Sequence, residues 1–299
     1  MFHDLVIVYA DHPALFAGSV FVIGLVIGSF LNVVIYRLPV MLDREWRAEA
    51  ALLLQQPAEA HSPFNLLTPR STCLSCHALI KAWQNVPVIS WLLLRARCHS
   101  CGAKISSRYP LVELGTGVLS AWVAWHFGVG VATPCALGVT WCLIALTGID
   151  IDHQLLPDGI TVPLMWAGLL ASIVIGPAAG RPLPVSPADA LVGAAAGYLS
   201  LWAVFHAFRL VTGKEGMGYG DFKLYAALGA WLGWKILPLV ILLAAASGAL
   251  IGIALILLRG RDRSAPMPFG PYLAIAGWIS MLYGEPLIDS YLHIAGMGR

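Results

Sequence analysis

Eight apolar runs of membrane-spanning length leave this chain little choice of fold. They cover 14–36, 109–128, 131–149, 159–177, 188–210, 222–237, 238–258 and 268–288. A helix needs about 20 mostly apolar residues to cross the hydrocarbon core of a bilayer. Only 11% of the residues are charged, 59% are hydrophobic and mean hydropathy is +0.78, which excludes an ordinary soluble globular protein. The runs are solidly apolar rather than alternating, so a membrane β-barrel is not expected. The expected fold is an all-α polytopic membrane protein with about eight transmembrane helices. Runs six and seven are nearly continuous, divided only at Trp234, Lys235 and Pro238. The start of the chain lacks a basic region and its apolar stretch is too long for a cleaved signal, so 14–36 reads as a retained helix.

The net charge of +2 says little, but its distribution sets an orientation. If the helices alternate from an external N-terminus, 37–108, 150–158, 209–221 and 259–267 lie inside. Together with Lys223 they carry 15 of the 18 Lys and Arg residues; Arg181, Lys235 and Arg299 remain outside. Positive charge favours the cytoplasmic side. Topology accounts for the basic residues, and no nucleic-acid partner is expected.

Residues 37–108 form the one sizeable soluble segment. A segment of about 70 residues rarely builds a sufficient core without a staple such as a metal. Within it 43–60 has helical spacing with a break expected at Pro57, and 176–187 reads as a featureless outer loop. Small-residue stretches at 193–197 and 244–252 suit close helix packing in lipid. Cys73-x-x-Cys76 and Cys98-x-x-Cys101 are separated by 21 residues. Two such knuckles can point four thiolates at one tetrahedral zinc, and four thiolates leave no open position, so the expected metal is structural. Neighbouring Arg70, Lys81, Arg95, Arg97 and Lys104 favour thiolates, and cytoplasmic placement argues against disulfides. The rival reading is a redox pair. His77 and His99 read as loop histidines, and Cys135 and Cys142 as small core residues.

Two aspartates stand at the mouths of apolar segments. Asp150 follows WCLIALTGI and opens DIDHQLLPD; Asp221 closes GMGYGD. An ionisable group at a membrane edge is costly and is usually kept for a function. Two close carboxylates share a proton, so one can activate water while the other polarises a carbonyl, as in aspartic proteases. Gly218 and Gly220 give a permissive backbone for approach to a peptide. The structural alternatives are a helix cap or an ion pair: Asp221 before a helix starting at Phe222, and Asp158 near 159. Asp152 competes with Asp150, because a D-x-D pair can hold a divalent cation. Glu113, at the start of the second run, is a candidate for orienting substrate or for a local pair with Lys or Arg. Asn32 and Arg37 organise the end of the first helix, with Arg37 an interfacial anchor.

Six blocks in order carry a resemblance: GSFLNVVIYRLP (28–39), S-x-C-x-x-C (71–76), N-x-P-x-x-S-W (85–91), CHSCGAKISSRYPLVE (98–113), DIDHQLLPD (150–158) and G-x-G-D (218–221). They resemble the signatures of bacterial type IV prepilin peptidases and span nearly the whole chain. The resemblance implies an inner-membrane aspartic peptidase that removes the short basic leader from type IV prepilins or type II secretion pseudopilins, on the cytoplasmic side. Many members also methylate the new N-terminal amine with S-adenosylmethionine. By motif position Asp150 and Asp221 resemble the catalytic pair, Asp150 being preferred to Asp152 because the family aspartate stands seven before the proline, here Pro157. The four cysteines match the family's zinc group, which points to the long, bifunctional form. No glycine-rich cofactor loop occurs in 37–108, so the methyltransferase activity rests on the resemblance. Three parts are then expected: 1–36, a first transmembrane helix with a periplasmic N-terminus; 37–108, a cytoplasmic zinc domain; and 109–299, a membrane-embedded peptidase domain of about seven helices.

Two other function classes fit the residues less well. A proton-coupled transporter with a cytoplasmic zinc module needs ionisable groups near mid-membrane and broken helices in matching halves. A divalent-metal enzyme acting on lipid phosphates needs a richer acidic cluster than Asp150 and Asp152.

Overall fold

The structure, a computed structural model, describes residues 2–56, 62–177, 183–259, 267–294 and 296. Among them it is helical, and β-pairing is limited to two isolated bridges. Four helices are long and apolar enough to cross a membrane: Pro13–Leu53, Ala132–His153, Pro187–Thr212 and Leu237–Leu258. By its internal contacts the chain forms two units, Met1–Val129 and Gly130–Arg299.

The first unit holds α1 (Phe2–Asp11), α2 (Pro13–Leu53), a 3₁₀ turn at Ala82–Asn85, α3 (Ile89–Leu93) and α4 (Arg108–Phe127). The first apolar run and the helical stretch from 43 merge into the single helix α2, which continues through Pro39. Its 41 residues are about 60 Å long at 1.5 Å per residue, twice the hydrocarbon thickness. The polar second half is held by helix formers and by Asp43–Arg47 at one-turn spacing, 2.9 Å apart. The break expected at Pro57 lies outside the described residues, as do 178–182 and the basic 260–266.

Glycines let α2 and α4 touch along an antiparallel seam. A Cβ on Gly24 would lie 2.8 Å from Gly117 Cα, and one on Gly28 would lie 2.7 Å from Glu113 Cα. Asn32 Nδ2 extends the seam by donating to the Tyr109 carbonyl at 3.1 Å. Small residues drive such packing because lipid gives helices no hydrophobic reason to associate.

The second unit holds α5 (Ala132–His153), α6 (Asp158–Val174), α7 (Pro187–Thr212), α8 (Tyr219–Leu232), α9 (Leu237–Arg259) and α10 (Gly270–Ile294). Its core is α8, buried continuously from Leu224 to Leu232. Run six was expected to reach 237, but α8 stops at Leu232, where Gly233 takes a positive φ of +77°. Fourteen residues span only about 21 Å, so α8 is shorter than the hydrocarbon core. It is wrapped by α7, α6 and α10. Gly193 of α7 and Gly229 of α8 put their backbones in contact, and Gly197 repeats this against Tyr225 one turn away. Trp231 Nε1 donates to the Leu164 carbonyl of α6 at 2.9 Å, and Leu228 fills the space over Gly277 of α10. Trp278 Nε1 ties α10 to α5 by donating to Thr140 Oγ1 at 3.1 Å.

Candidate active site and metal centre

The end of α5 turns sharply, and the turn is what builds the carboxylate site. Gln154 closes α5 in the left-handed region (φ +52°), its N–H returning to the Asp150 carbonyl at 2.9 Å. The chain then passes through buried Leu156 and Pro157 into α6. The Pro157 carbonyl accepts from the N–H groups of Ile160 and Thr161, so Pro157 caps α6 from the backbone. Asp158 is not the side-chain cap that its position suggests. It reaches across to α8, where Lys223 Nζ donates to both its oxygens at 2.7 and 2.6 Å.

Asp150 is 5% exposed in the last turn of α5, whereas Asp152 is exposed. Asp150 Oδ2 accepts the N–H of Gly270, the first residue of α10, at 3.0 Å. Asp221 is 6% exposed in the first turn of α8. The helix starts at Tyr219 rather than Phe222, so Asp221 does not precede it. Its Oδ2 reaches back to accept the Gly218 N–H at 3.2 Å, the carboxylate half of a capping box. Its Oδ1 is buried and has no hydrogen-bond partner among the described residues. The two carboxylates are near enough to feel each other's charge.

Leu156 is the common neighbour. A Cβ on Gly220 would lie 2.7 Å from Leu156 Cβ, and one on Gly270 would lie 2.6 Å from Asp150 Oδ2 and 3.0 Å from Leu156 Cδ2. Gly220 therefore has a packing reason to be glycine. Gly218 has none, since its Cβ would meet only Asp221 Oδ2 at 3.6 Å. Glu113 belongs to the first unit, where Oε2 accepts the Val88 N–H at 2.7 Å. That bond holds Val88 at φ +59°, a conformation that costs a β-branched residue about 1–3 kcal/mol. Arg37 is buried and clamps the loop after α2, donating to the carbonyls of Asn65 at 2.9 Å and Pro69 at 2.7 Å. Sequence reasoning missed Gly270, Leu156 and Lys223. The string FGPY (269–272), a glycine opening a helix ahead of a proline, is the local signal that could have found the first of these.

The cysteines form two copies of one turn. The N–H of Cys73 bonds the Ala78 carbonyl and the N–H of His77 bonds that of Cys73, at 2.9 Å each. The N–H of Cys98 bonds the Ala103 carbonyl at 2.8 Å and that of Gly102 bonds Cys98 at 2.9 Å. In both turns the residue after the second cysteine has a positive φ, His77 at +56° and Gly102 at +72°. All four sulfurs lie within 4.8 Å of one another, with Cys73 and Cys101 at 3.9 Å. A tetrahedral zinc with Zn–S of about 2.3 Å sets S···S at about 3.8 Å, so the donor set fits that ion. Backbone N–H groups of Cys76 and Ser75 push the Cys73 thiol down to about 6. His77 and His99 are not part of the four-sulfur group; His99 packs edge-on against Trp83.

These features define a class: a polytopic helical membrane protein with a buried carboxylate pair on two helix ends and a separate four-cysteine centre. Residues 22–127 match the family model for the bacterial peptidase A24 N-terminal domain, and residues 137–253 match that for the type IV leader peptidase family. Among curated proteins the chain is similar to the prepilin leader peptidase/N-methyltransferase of Aeromonas hydrophila, 55% identical over 94% of this chain and 95% of that one. It is also similar to the proteins of that name from Stutzerimonas stutzeri (51% identical, 96% and 97% covered) and Legionella pneumophila (42%, 98% and 99%). No solved structure matches it. The chain belongs to the type IV leader peptidase family.

Proposed function

We infer that this protein is a membrane aspartic endopeptidase that removes the leader from type IV prepilins or type II secretion pseudopilins, and that it also N-methylates the new N-terminal residue. The observation that carries the first activity is the pairing of two buried carboxylates from α5 and α8, each fixed by one backbone N–H, with Asp221 Oδ1 left unpartnered. The relatives' names support both activities.

Asp150 and Asp221 hold one proton between them. The ionised member takes a proton from water as the water oxygen attacks the scissile carbonyl. The protonated member donates to the carbonyl oxygen, and the leaving amine is protonated as the tetrahedral species collapses. The Gly270 and Gly218 N–H groups keep one oxygen of each carboxylate in place, which leaves the others for water and substrate. Gly218 and Gly220 keep side chains away from the peptide that approaches Asp221. Leader cleavage of a prepilin in proteoliposomes tests this: Asp150→Asn and Asp221→Asn each abolish it while the chain accumulates.

Residues 37–108 act as the zinc module and 109–299 carry the cleavage chemistry. Cys73, Cys76, Cys98 and Cys101 hold a structural zinc that stiffens the module without joining the reaction. S-adenosylmethionine, when bound, would supply the electrophilic methyl group that the neutral new N-terminal amine accepts. The charge asymmetry supports an inner-membrane location with the zinc module and Asp150 and Asp221 facing the cytoplasm and the N-terminus periplasmic. A substrate's apolar segment then lies in the bilayer while its basic leader meets the acidic site. No feature of the fold or of the relatives favours a transporter or a lipid-phosphate enzyme.

A further inference from the structure

The first unit contains a cavity that leader cleavage does not use. The Ser29–Arg37 stretch of α2, the start of α4, the loop carrying Phe64 to Ile80 and the 84–106 segment line a cleft of about 620 Å³. That is the size of a site for a small organic molecule. Its wall combines one carboxylate, Glu113, and two cations, Arg37 and Lys104, with the aromatic side chains of Tyr36, Trp91 and Tyr109. Arg37 is taken up by the carbonyls of Asn65 and Pro69, which leaves Lys104 to meet an acidic group of a ligand.

Glu113 is the residue that points to a ligand. It is 8% exposed, and Val88 N–H and the Ser29 hydroxyl bond its carboxylate. No Lys or Arg pairs with it among the described residues, although burying a carboxylate without a counter-charge is costly. A buried carboxylate in a cleft that is also lined by aromatic side chains suits an organic cation joined to a flat ring system. The Glu113–Val88 bond also fixes a left-handed Val88, so this wall is held in a conformation the backbone would not choose alone.

We propose that this cavity is the seat of S-adenosylmethionine, with Glu113 supplying the counter-charge to the sulfonium and Tyr36, Trp91 and Tyr109 the faces that hold the adenine. This rests on the methyltransferase reading above and adds its location and ligands. Cys73 and Cys98 form part of the wall, so a zinc held by the four cysteines would fix the cavity's shape.

Binding is measured by calorimetry on the full, zinc-loaded chain in nanodiscs, with S-adenosylmethionine and with S-adenosylhomocysteine, which lacks the sulfonium charge. Glu113→Gln keeps an acceptor for Val88 and removes only charge. It weakens S-adenosylmethionine about tenfold or more and S-adenosylhomocysteine about twofold or less. Tyr36→Ala weakens both about tenfold through lost stacking. One zinc per chain and an unchanged unfolding midpoint show that each variant is folded. Ultraviolet crosslinking of radiolabelled S-adenosylmethionine to the unmodified chain labels peptides within 29–113. Equal weakening of both ligands by Glu113→Gln, or label confined to 130–299, overturns the location. A wild-type chain that cleaves prepilin yet binds neither ligand overturns the methyltransferase reading along with it and leaves the peptidase reading intact.

Discussion

Gly270→Ala separates the geometry of the carboxylate pair from the stability of the fold. The added Cβ would lie 2.6 Å from Asp150 Oδ2, so the carboxylate must retreat by about 0.8 Å to reach the 3.4 Å of ordinary contact. The other close atom, Leu156 Cδ2 at 3.0 Å, is a methyl at the end of a side chain and turns aside with little cost. The atoms that yield are both side-chain ends, so α10 still forms and the chain accumulates. A displacement near 1 Å at a reacting group costs about 10²-fold in rate, equivalent to about 2.7 kcal/mol of transition-state stabilisation. The expected result is a fall of about 10²-fold in kcat for leader cleavage in proteoliposomes, with KM little changed. Zinc content and the thermal unfolding midpoint stay at wild-type values. Gly138→Ala, on α5 where a Cβ meets nothing within 4 Å, serves as the control and cleaves normally. A Gly270→Ala enzyme with wild-type kcat would refute the claim that this backbone N–H fixes Asp150 in its working position.

Asp150→Asn and Asp221→Asn retain acceptors for Gly270 and Gly218, so each lowers cleavage by about 10³-fold or more without unfolding the chain; Asp152→Asn, at an exposed position, has a minor effect, and equal losses at 150 and 152 would point away from the pair. Gly229→Ala drives a Cβ into the Gly193 carbonyl oxygen, which is backbone and cannot swing away, so α7 and α8 must part at a cost of about 1–3 kcal/mol, read as a lowered unfolding midpoint. Lys223→Ala breaks a pair whose side chains are 31% and 63% exposed, so it costs no more than about 1 kcal/mol and less in high salt; a larger, salt-independent loss would show that the pair does more than bridge α6 and α8. Cys73→Ser/Cys76→Ser drops zinc from one per chain to none and opens 62–107 to protease, and normal cleavage by a zinc-free chain would remove the structural role given to the metal.

Hydropathy located the helices because in lipid each spanning segment must satisfy its own backbone and face apolar surroundings, which leaves a local signal. The same signal misplaced the end of α2. Charged residues such as Asp43 and Arg47 mark where a helix leaves lipid, whereas the hydrogen-bond ladder continues through them to Leu53. The cysteine turns were legible because each repeats a local pattern, and bringing four sulfurs to one point imposes the spacing. The start of α8 was misread by three residues, since Asp221 was taken to stand before the helix when it reaches back to Gly218 from inside the first turn. Gly270 lies 120 positions from Asp150, and nothing in the local sequence of either announces the other.

The site's construction explains why its glycines are spaced as they are. Asp150 and Asp221 come from helix ends with no direct backbone link, so their register depends on whatever both ends touch. That element is the short turn through Leu156, which presses on Gly220 beside one aspartate and on Gly270, whose N–H holds the other. A side chain at either glycine would displace the turn or the carboxylate. The seven residues from Asp150 to Leu156 are then as much a part of the site as the aspartates: they let one buried leucine set two backbone positions at once. The Asp158–Lys223 pair, just beyond the turn on one side and two residues past Asp221 on the other, closes the same loop of contacts from the exposed side. A carboxylate pair assembled from separate helices works only if the distance between them is fixed more tightly than helix packing in lipid alone provides, and this turn supplies that constraint.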